Sequence, residues 1–258
     1  MRDLLWKLEG ICLAGTHLPR LAEVTCRIRK GVTAVMGCSG AGKTSLLNLL
    51  VAFETQDAGS LIGDLPGEGF SLPLFWVPQD AGLWPHLTAR EHLEAVMSPG
   101  ASPDRIPQML DRFGILEKAS ARPDRLSMGE RSRLAVARAL VADAAVLVMD
   151  EPLAHVDWTR ASEYWGVIRN HLAERGASLV FATHLPEAVM GEADRVICLE
   201  EGRLLYEGPV DELYWNPATR ELAECLGAVN WLPQPEARLW LADGAGARSC
   251  YRPEQIRL

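Results

Sequence analysis

Six cysteines occur in the sequence, yet no two form a C-x-x-C pair. That absence leaves no zinc-cluster or disulfide framework to expect. The scatter of Cys12, Cys26, Cys38, Cys198, Cys225 and Cys250 suggests reduced thiols in a cytosolic protein. Basic charge is also short: the net charge is -8, which argues against a general nucleic-acid binder and leaves room only for a local basic patch. No long apolar run is present. The strongest, Ala144 to Met149, is far shorter than the roughly 20 residues a spanning helix needs, so any membrane role requires a partner. The N-terminal MRDLLWKLEG carries Asp3 and Glu9 and makes a poor signal peptide. Internal repeats and low-complexity tracts are missing too. What remains is an ordinary globular composition, 48% hydrophobic and 23% charged, in 258 residues, enough for one large domain or two small ones.

Along the chain the pattern alternates between strand and helix. LAEVTCRI (21–28) reads as a half-buried strand, and VTAVM after Gly31 as a short buried one. A glycine-rich loop follows, then TSLLNLLVAF as a helix. LFWVPQ (74–79) is another strand. From about Asp80 to Arg125, helical stretches are broken by Pro85, Pro99, Pro103, Pro107 and Pro123, which predicts a helical insert. A helix from Ser127 to about Val141, the buried strand AAVLVMD, a long helix ending at Gly176, the strand ASLVFATH and the short helix PEAVMGEA come next. DRVICLEEGRLLYEG predicts two strands around a Glu201-Gly202 turn. Such alternation implies a mostly parallel sheet covered by helices. Beyond about Trp215 the pattern is less regular: WNPATRELAECLG has helical spacing, and ARLWLADGAGARSCYRPEQIRL suits a short hairpin.

Two stretches carry most of the chemistry. GCSGAGKT, Gly37 to Thr44, fits G-x-x-x-x-G-K-[ST] between a strand and a helix, the context a P-loop requires. Gly37, Gly40 and Gly42 let backbone N–H groups face phosphates without a Cβ in the way, and Cys38, Ser39 and Ala41 complete the loop. The following helix, opened by Ser45, adds its positive end. Lys43 is expected to reach the β- and γ-phosphates of ATP and Thr44 to ligate Mg²⁺. AAVLVMDE delivers Asp150 and Glu151 at the end of a buried strand, where ligand sites of open α/β sheets lie. Asp150 fits a residue that holds Mg²⁺, directly or through water, and Glu151 a base for an attacking water.

A third stretch, RLSMGERSRLAVARAL (125–140), is ambiguous on its own. Ser127 and Glu130 form an S-x-x-E capping box, worth roughly 1 kcal/mol to the helix. The same serine, glycine and helix N-terminus are also the ingredients of a phosphate site.

Taken together, these motifs resemble those of the ABC-type ATPases, the nucleotide-binding subunits of ABC transporters, and the resemblance runs through nearly the whole chain in order. GCSGAGKT resembles Walker A; VPQD places Gln79 as the Q-loop glutamine; LSMGE resembles the LSGGQ signature. VLVMDEP resembles Walker B with its catalytic glutamate, LAHVD the D-loop with Asp157, and ATHLPEA places His184 as the switch histidine. The resemblance implies a P-loop NTPase core with a mostly parallel sheet, an antiparallel β subdomain and a helical signature subdomain. Residues 1–214 would form the ATPase domain, with about 80–134 inserted, and 215–258 a short C-terminal extension. It also implies that two such subunits, a homodimer in the simplest case, close head to tail. Ser127 and Gly129 of one then meet the γ-phosphate of ATP held by the other. Gln79 would sense that phosphate through Mg²⁺ or water and relay closure to a membrane partner. His184 would position Glu151 and the water, and Asp157 would couple the two sites.

The chain departs from the family pattern in places. Met128 stands where glycine is usual and would narrow the approach to phosphate; Glu130 stands where glutamine is usual. His155 sits in the D-loop, where small residues are commoner. No Phe, Tyr or Trp occurs between Trp6 and Phe53, so the usual aromatic under adenine is missing; the expectation is either an aliphatic residue near Ile11 to Leu13 in its place or a platform weaker than usual. Cys38 reads as a tolerated small residue of the loop, one whose alkylation would block the nucleotide site.

WVPQDAGLWPHLTAREHL and GPVDELYWNPATRELAECLGAVNWLP resemble importer ATPases, particularly those serving inorganic anions, ferric iron, polyamines and sugars. The implied partners are transmembrane permease subunits, met by a groove near Leu83, Trp84 and Leu87, and an extracytoplasmic substrate-binding protein. The implied place is the cytoplasmic face of the membrane, with no nucleic acid. YRPEQIRL resembles the phrase that opens a β-barrel regulatory domain, so the tail reads equally as a rudiment of one or as cover for an apolar edge. Two other readings stay open: a soluble ABC ATPase acting on ribosomes or DNA, disfavoured by the absence of long arms and basic inserts, and a subunit that binds ATP without hydrolysing it, disfavoured by Glu151 and His184.

Overall fold

The computed structural model describes residues 3–98, 100–232 and 250–253. The chain opens with β1 (Leu4–Leu13), β2 (Leu21–Arg29) and β3 (Val32–Met36), then α1 (Lys43–Leu50), β4 (Ala58–Gly63) and β5 (Leu72–Val77). Three helices, α2 (Ala89–Glu94), α3 (Arg105–Arg112) and α4 (Met128–Val141), separate β5 from β6 (Ala144–Asp150). Then come α5 (Trp158–Arg175), β7 (Ser178–Thr183), α6 (Pro186–Glu192), β8 (Arg195–Glu200) and β9 (Arg203–Pro209). Helices α7 (Val210–Trp215) and α8 (Arg220–Cys225) and the short strands β10 (Asn230–Trp231) and β11 (Cys250–Tyr251) complete the described chain.

The main sheet has the order β5-β6-β7-β3-β8-β9, parallel except for the β8–β9 pair. Parallel strands are buried on both faces, and β6 shows it, for all seven of its residues are buried. Alternation still assigns the faces. Val146 and Val148 join Leu46, Leu47 and Leu50 of α1, together with Leu5, Leu8 and Ile11 of β1. Leu147 and Met149 join Leu134 and Leu140 of α4 and Trp165 and Ile168 of α5. The sheet therefore separates two cores. One is capped by α1 and a three-stranded antiparallel sheet, β2-β1-β4; the other is capped by the helices.

Most predicted elements form. The Glu201-Gly202 turn joins β8 to β9 with both residues at positive φ, 47° and 76°, as a tight two-residue hairpin requires. Gly176 ends α5 at φ 66°. Three readings need correction. The helix read over 44–53 stops at Leu50, because Ala52 turns to φ 55° and Phe53 is exposed. Strands β1 and β4 went unread as strands. Ile11 and Leu13 are 0% and 3% exposed, inside the core beneath the antiparallel sheet, so neither can lie under a nucleobase. The hairpin expected over 237–258 falls largely outside the described residues; what is described there is the pairing of Trp231 with Cys250 and of Asn230 with Tyr251.

Candidate functional site

Because β5, β6, β7 and β3 are parallel neighbours, their C-terminal ends share one edge of the sheet. Val77 pairs with Met149, Asp150 with Ala182, and Met36 with Thr183. That register brings Gln79, Asp150 with Glu151, His184 and the loop from Gly37 side by side, although they lie up to 147 residues apart in sequence. An open cavity of about 1000 Å³ lies over this edge, lined by Ser39, Gly40, Gly42, Lys43, Thr44 and Ser45 as well as Gln79, Asp150, Glu151 and His184.

The loop's glycines are required by geometry. A Cβ on Gly37 would lie 2.3 Å from the Leu199 carbonyl, and one on Gly42 2.5 Å from that of Arg20. Gly42 enters α1 at φ 102°, with no side chain capping the helix and no acid in its first turn. Lys43, only 9% exposed, folds back so that Nζ donates to the carbonyls of Gly37 (2.7 Å) and Cys38 (3.2 Å). The loop is thus shaped around one cation. Cys38 itself is exposed, and Ala41 is buried behind the loop.

At the strand ends, Thr44 Oγ1 donates to Asp150 Oδ2 at 2.6 Å. The other carboxylate oxygen, Oδ1, is buried with no hydrogen-bond partner. Burial raises the Asp150 pKa above the usual carboxylate range, opposed by the Thr44 bond and by Lys43. A hard cation at Oδ1 would satisfy that oxygen and remove the penalty. A hydroxyl, a single carboxylate and space for phosphate oxygens and water suit Mg²⁺, so the residues fit the ion. Glu151 is held at φ 50°, a strained backbone for a non-glycine residue, with its N–H on the Ala182 carbonyl. Its carboxylate accepts from His184 Nδ1, 2.9 and 3.0 Å from the two oxygens. Gln79 is exposed on the turn after β5.

Ser127, Gly129 and Asp157 stand apart from the cavity lining. Ser127 caps α4: its hydroxyl accepts from the Glu130 N–H (3.2 Å), and Glu130 Oε2 accepts from the Ser127 N–H (2.7 Å). Asp157 caps α5 through the Thr159 N–H. Gly129 is required by packing, since a Cβ there would lie 2.8 Å from the His155 carbonyl. Met128 is exposed, and both it and His155 line the cavity.

Two residues here were not singled out from sequence. Arg138 of α4 is buried beneath the turn that follows Gln79. It donates to the carbonyls of Gly82 (2.7 Å) and Ala81 (3.0 Å), with its guanidinium over the Trp84 ring at 4.8 Å. Burial lowers its pKa to about 10, which leaves it charged at neutral pH. Trp84 also stacks on His92, whose Nε2 accepts from the Trp84 N–H and whose Nδ1 donates to the Thr88 carbonyl. Trp84 is therefore exposed but held, while Leu83 and Leu87 are partly buried. The second missed residue is Arg20, which lines the cavity at its P-loop end.

The sequence pattern of the ABC transporter family matches residues 21–154. The molybdenum import ATP-binding protein ModC of Methylococcus capsulatus is 37% identical over 195 residues, 71% of this chain and 54% of that protein. The Fe(3+) ions import ATP-binding protein FbpC 1 of Rhodococcus jostii is 33% identical over 247 residues, 88% of this chain and 71% of that protein. The chain spans between 54% and 65% of the length of the first few curated relatives it matches. Among solved structures, an ATP-binding cassette seen as a dimer in a post-hydrolysis state with ADP and Pi superposes with a TM-score of 0.69 at 24% identity. The match covers 80% of this chain and 98% of that one, and shows that the α/β fold is shared. The ATP-binding subunit of an ABC transporter superposes with a TM-score of 0.70 at 20% identity, over 81% of this chain and 91% of that one.

Proposed function

The chain belongs to the ABC transporter family, and on that premise we propose that it binds and hydrolyses ATP as the energy-coupling subunit of an importer. The observation that carries this reading is the convergence on one cavity of Lys43, Thr44, Asp150, Glu151 and His184, with Lys43 held on the loop carbonyls, Thr44 on Asp150 and His184 on Glu151. Lys43 exchanges its two carbonyl partners for phosphate oxygens, while the uncapped N–H groups of α1 and the loop amides hold the rest of the phosphate chain. Thr44 and Asp150, with Gln79 nearby, would hold Mg²⁺, which supplies charge neutralisation at the phosphates. Glu151 takes the proton of the attacking water. His184 fixes the direction of that carboxylate through Nδ1 and leaves its other ring nitrogen for the γ-phosphate.

Ser127 and Gly129 are not among the residues that line their own cavity, which suits a role on a second copy: the N-terminus of α4 in one subunit meets the phosphate held by the other, with Asp157 at the junction. Such a dimer is two-fold and closes two equivalent sites. Gln79, Trp84 and the segment of about 80–134 form the side offered to transmembrane permease subunits at the cytoplasmic face of the membrane. The stretch 215–258 is an extension to the ATPase domain of 1–214. The importers named among the relatives make an extracytoplasmic substrate-binding protein the expected further partner.

Glu151→Gln tests the chemistry. Turnover is expected to fall by ~10²-fold or more, the scale of a lost general base, while ATP holds the dimer together. Steady-state hydrolysis and sedimentation in ATP read the two effects, and unchanged turnover would remove Glu151 from its role. The same variant, used with ATP to capture partners from native membranes, is expected to retain a polytopic membrane protein. Ribosomal proteins or nucleic acid in its place would overturn the importer reading.

A further inference from the structure

The hydrolytic end of the cavity is fully assigned, but its other end is not. Beyond Gly40 and Gly42 the wall is Arg20, the residue just before β2. Its place relative to the phosphate loop is fixed by backbone. The Arg20 carbonyl lies against Gly42 and Gly202, and Gly202 donates to the Ala41 carbonyl while accepting from the Ala22 N–H. The segment carrying Arg20 is therefore stapled to the loop that would hold the phosphates.

The side chain is held as firmly as the backbone. Arg20 Nη1 donates to Glu54 Oε1 at 3.1 Å and Nη2 meets Glu54 Oε2 at 2.7 Å, the parallel two-bond geometry of a guanidinium on a carboxylate. Its Nε donates to the Ala14 carbonyl at 3.0 Å. Glu54 is in turn held by the Asn48 amide at 2.9 Å, and the Ala14 N–H by Asp57 at 2.6 Å. The donors around one edge of the guanidinium are thus committed to protein acceptors. Three of its five N–H groups are so used; with the side chain 43% exposed, the planar face and the two remaining N–H groups are what it can offer a ligand in the cavity it lines.

No Phe, Tyr or Trp is among the described residues that line this cavity, and its two histidines, His155 and His184, lie on the signature and hydrolytic sides. A nucleotide anchored by its phosphates on Lys43 and Thr44 must place its base toward one end. Arg20 supplies a planar, delocalised surface at the P-loop end, and guanidinium planes stack on aromatic rings.

Resting on the reading of this cavity as a nucleotide site, we propose that the base of the bound nucleotide stacks on the face of Arg20, with Glu54 and Asn48 holding that face in position. Every nucleobase has a π-face, and three of the five N–H donors of Arg20 are already used, so a base stacked on its plane is gripped mainly by that face and little by its edges. ATP and GTP should bind with similar affinity.

Calorimetric titration of the whole protein with MgATP, MgGTP and magnesium tripolyphosphate, which has the phosphates but no base, tests this. Arg20→Lys keeps the charge and an ion pair with Glu54 but removes the plane. It is expected to weaken ATP and GTP binding roughly tenfold while tripolyphosphate binding stays within twofold. Arg20→Trp restores a stacking surface without the charge and is expected to recover ATP affinity. Equal losses for ATP and tripolyphosphate in Arg20→Lys would make Arg20 a phosphate contact and overturn the proposal, as would no loss for either. A failure of the underlying reading looks different: wild-type protein would then bind neither ATP nor tripolyphosphate, or Lys43→Ala would bind both as well as wild type does.

Discussion

The N-termini of α1 and α4 have the same backbone resource, unpaired N–H groups at the positive end of a helix, but they are finished in opposite ways. At α1 the entry is Gly42 in a left-handed conformation, with no capping side chain and no acid in the first turn. At α4 the entry is Ser127, whose capping box with Glu130 fills the end with the protein's own oxygens. One end is left open to an anion; the other already holds a carboxylate. A third helix shows what this means. α2 carries the same box, Thr88 with Glu91, yet neither residue lines the cavity. A capping box is thus a property of helix ends, and it does not mark a phosphate site. Any phosphate that reaches α4 must compete with Glu130.

Removing the lysine of the open end should have the largest effect. Lys43→Ala is expected to lower ATP affinity on the order of a hundredfold, since two charge-assisted bonds to phosphate are lost; calorimetry reads it directly. At the filled end, Glu130→Gln keeps a side chain that can bond the Ser127 N–H but removes the negative charge. If α4 meets phosphate in a second copy, the ATP-held dimer of the Glu151→Gln protein should tighten about fivefold in sedimentation, with ATP affinity of the monomer unchanged. Loosening of that dimer would mean that the carboxylate is not an obstacle to it. The smallest effect is in pH. The Ser127 backbone N–H holds the Glu130 carboxyl below its ordinary 4.5. A carboxylate depressed in the folded state stabilises fully above that value and loses its contribution as pH falls through the folded pKa. Relative to the intrinsic exchange rate at each pH, amide protection in the first turn of α4 should therefore fall on acidification below about 4.5, while the first turn of α1, which has no acid, should not respond in the same way.

The contrast between these ends also explains which features could be read in advance. The open end was legible because its glycines and Lys43 are local: strand, loop and helix follow one another directly between Val32 and Leu50. β6 was legible because burial on both faces leaves an unbroken apolar run. β1 was not, for Gly10 at φ 61° and shifted register on either side of it break the alternation that would have revealed the strand. β4, AGSLIG, is too glycine-rich and exposed to look like a strand. The pairing of His184 with Glu151 came only through resemblance, since nothing local joins residues 33 apart. The expected aliphatic surface near Ile11 to Leu13 failed for the same reason that hid β1: once the strand is drawn, both side chains face inward. Arg20 escaped notice because a search for a hydrophobic platform passes over a charged residue, and its flat, fixed face exists only through Glu54, 34 positions away.

Arg138 has a mechanical consequence. It rises from the same helix that Ser127 caps, and it grips the two carbonyls of the turn just after Gln79. On the function proposed above, the turn offered to a permease and the helix end offered to a second copy would be two arms of one lever, with a guanidinium as its rivet. Ala81 of that turn and Met128, Arg131 and Ala135 of α4 also wall the phosphate cavity, so a displacement of either arm would be carried to the other along the site itself.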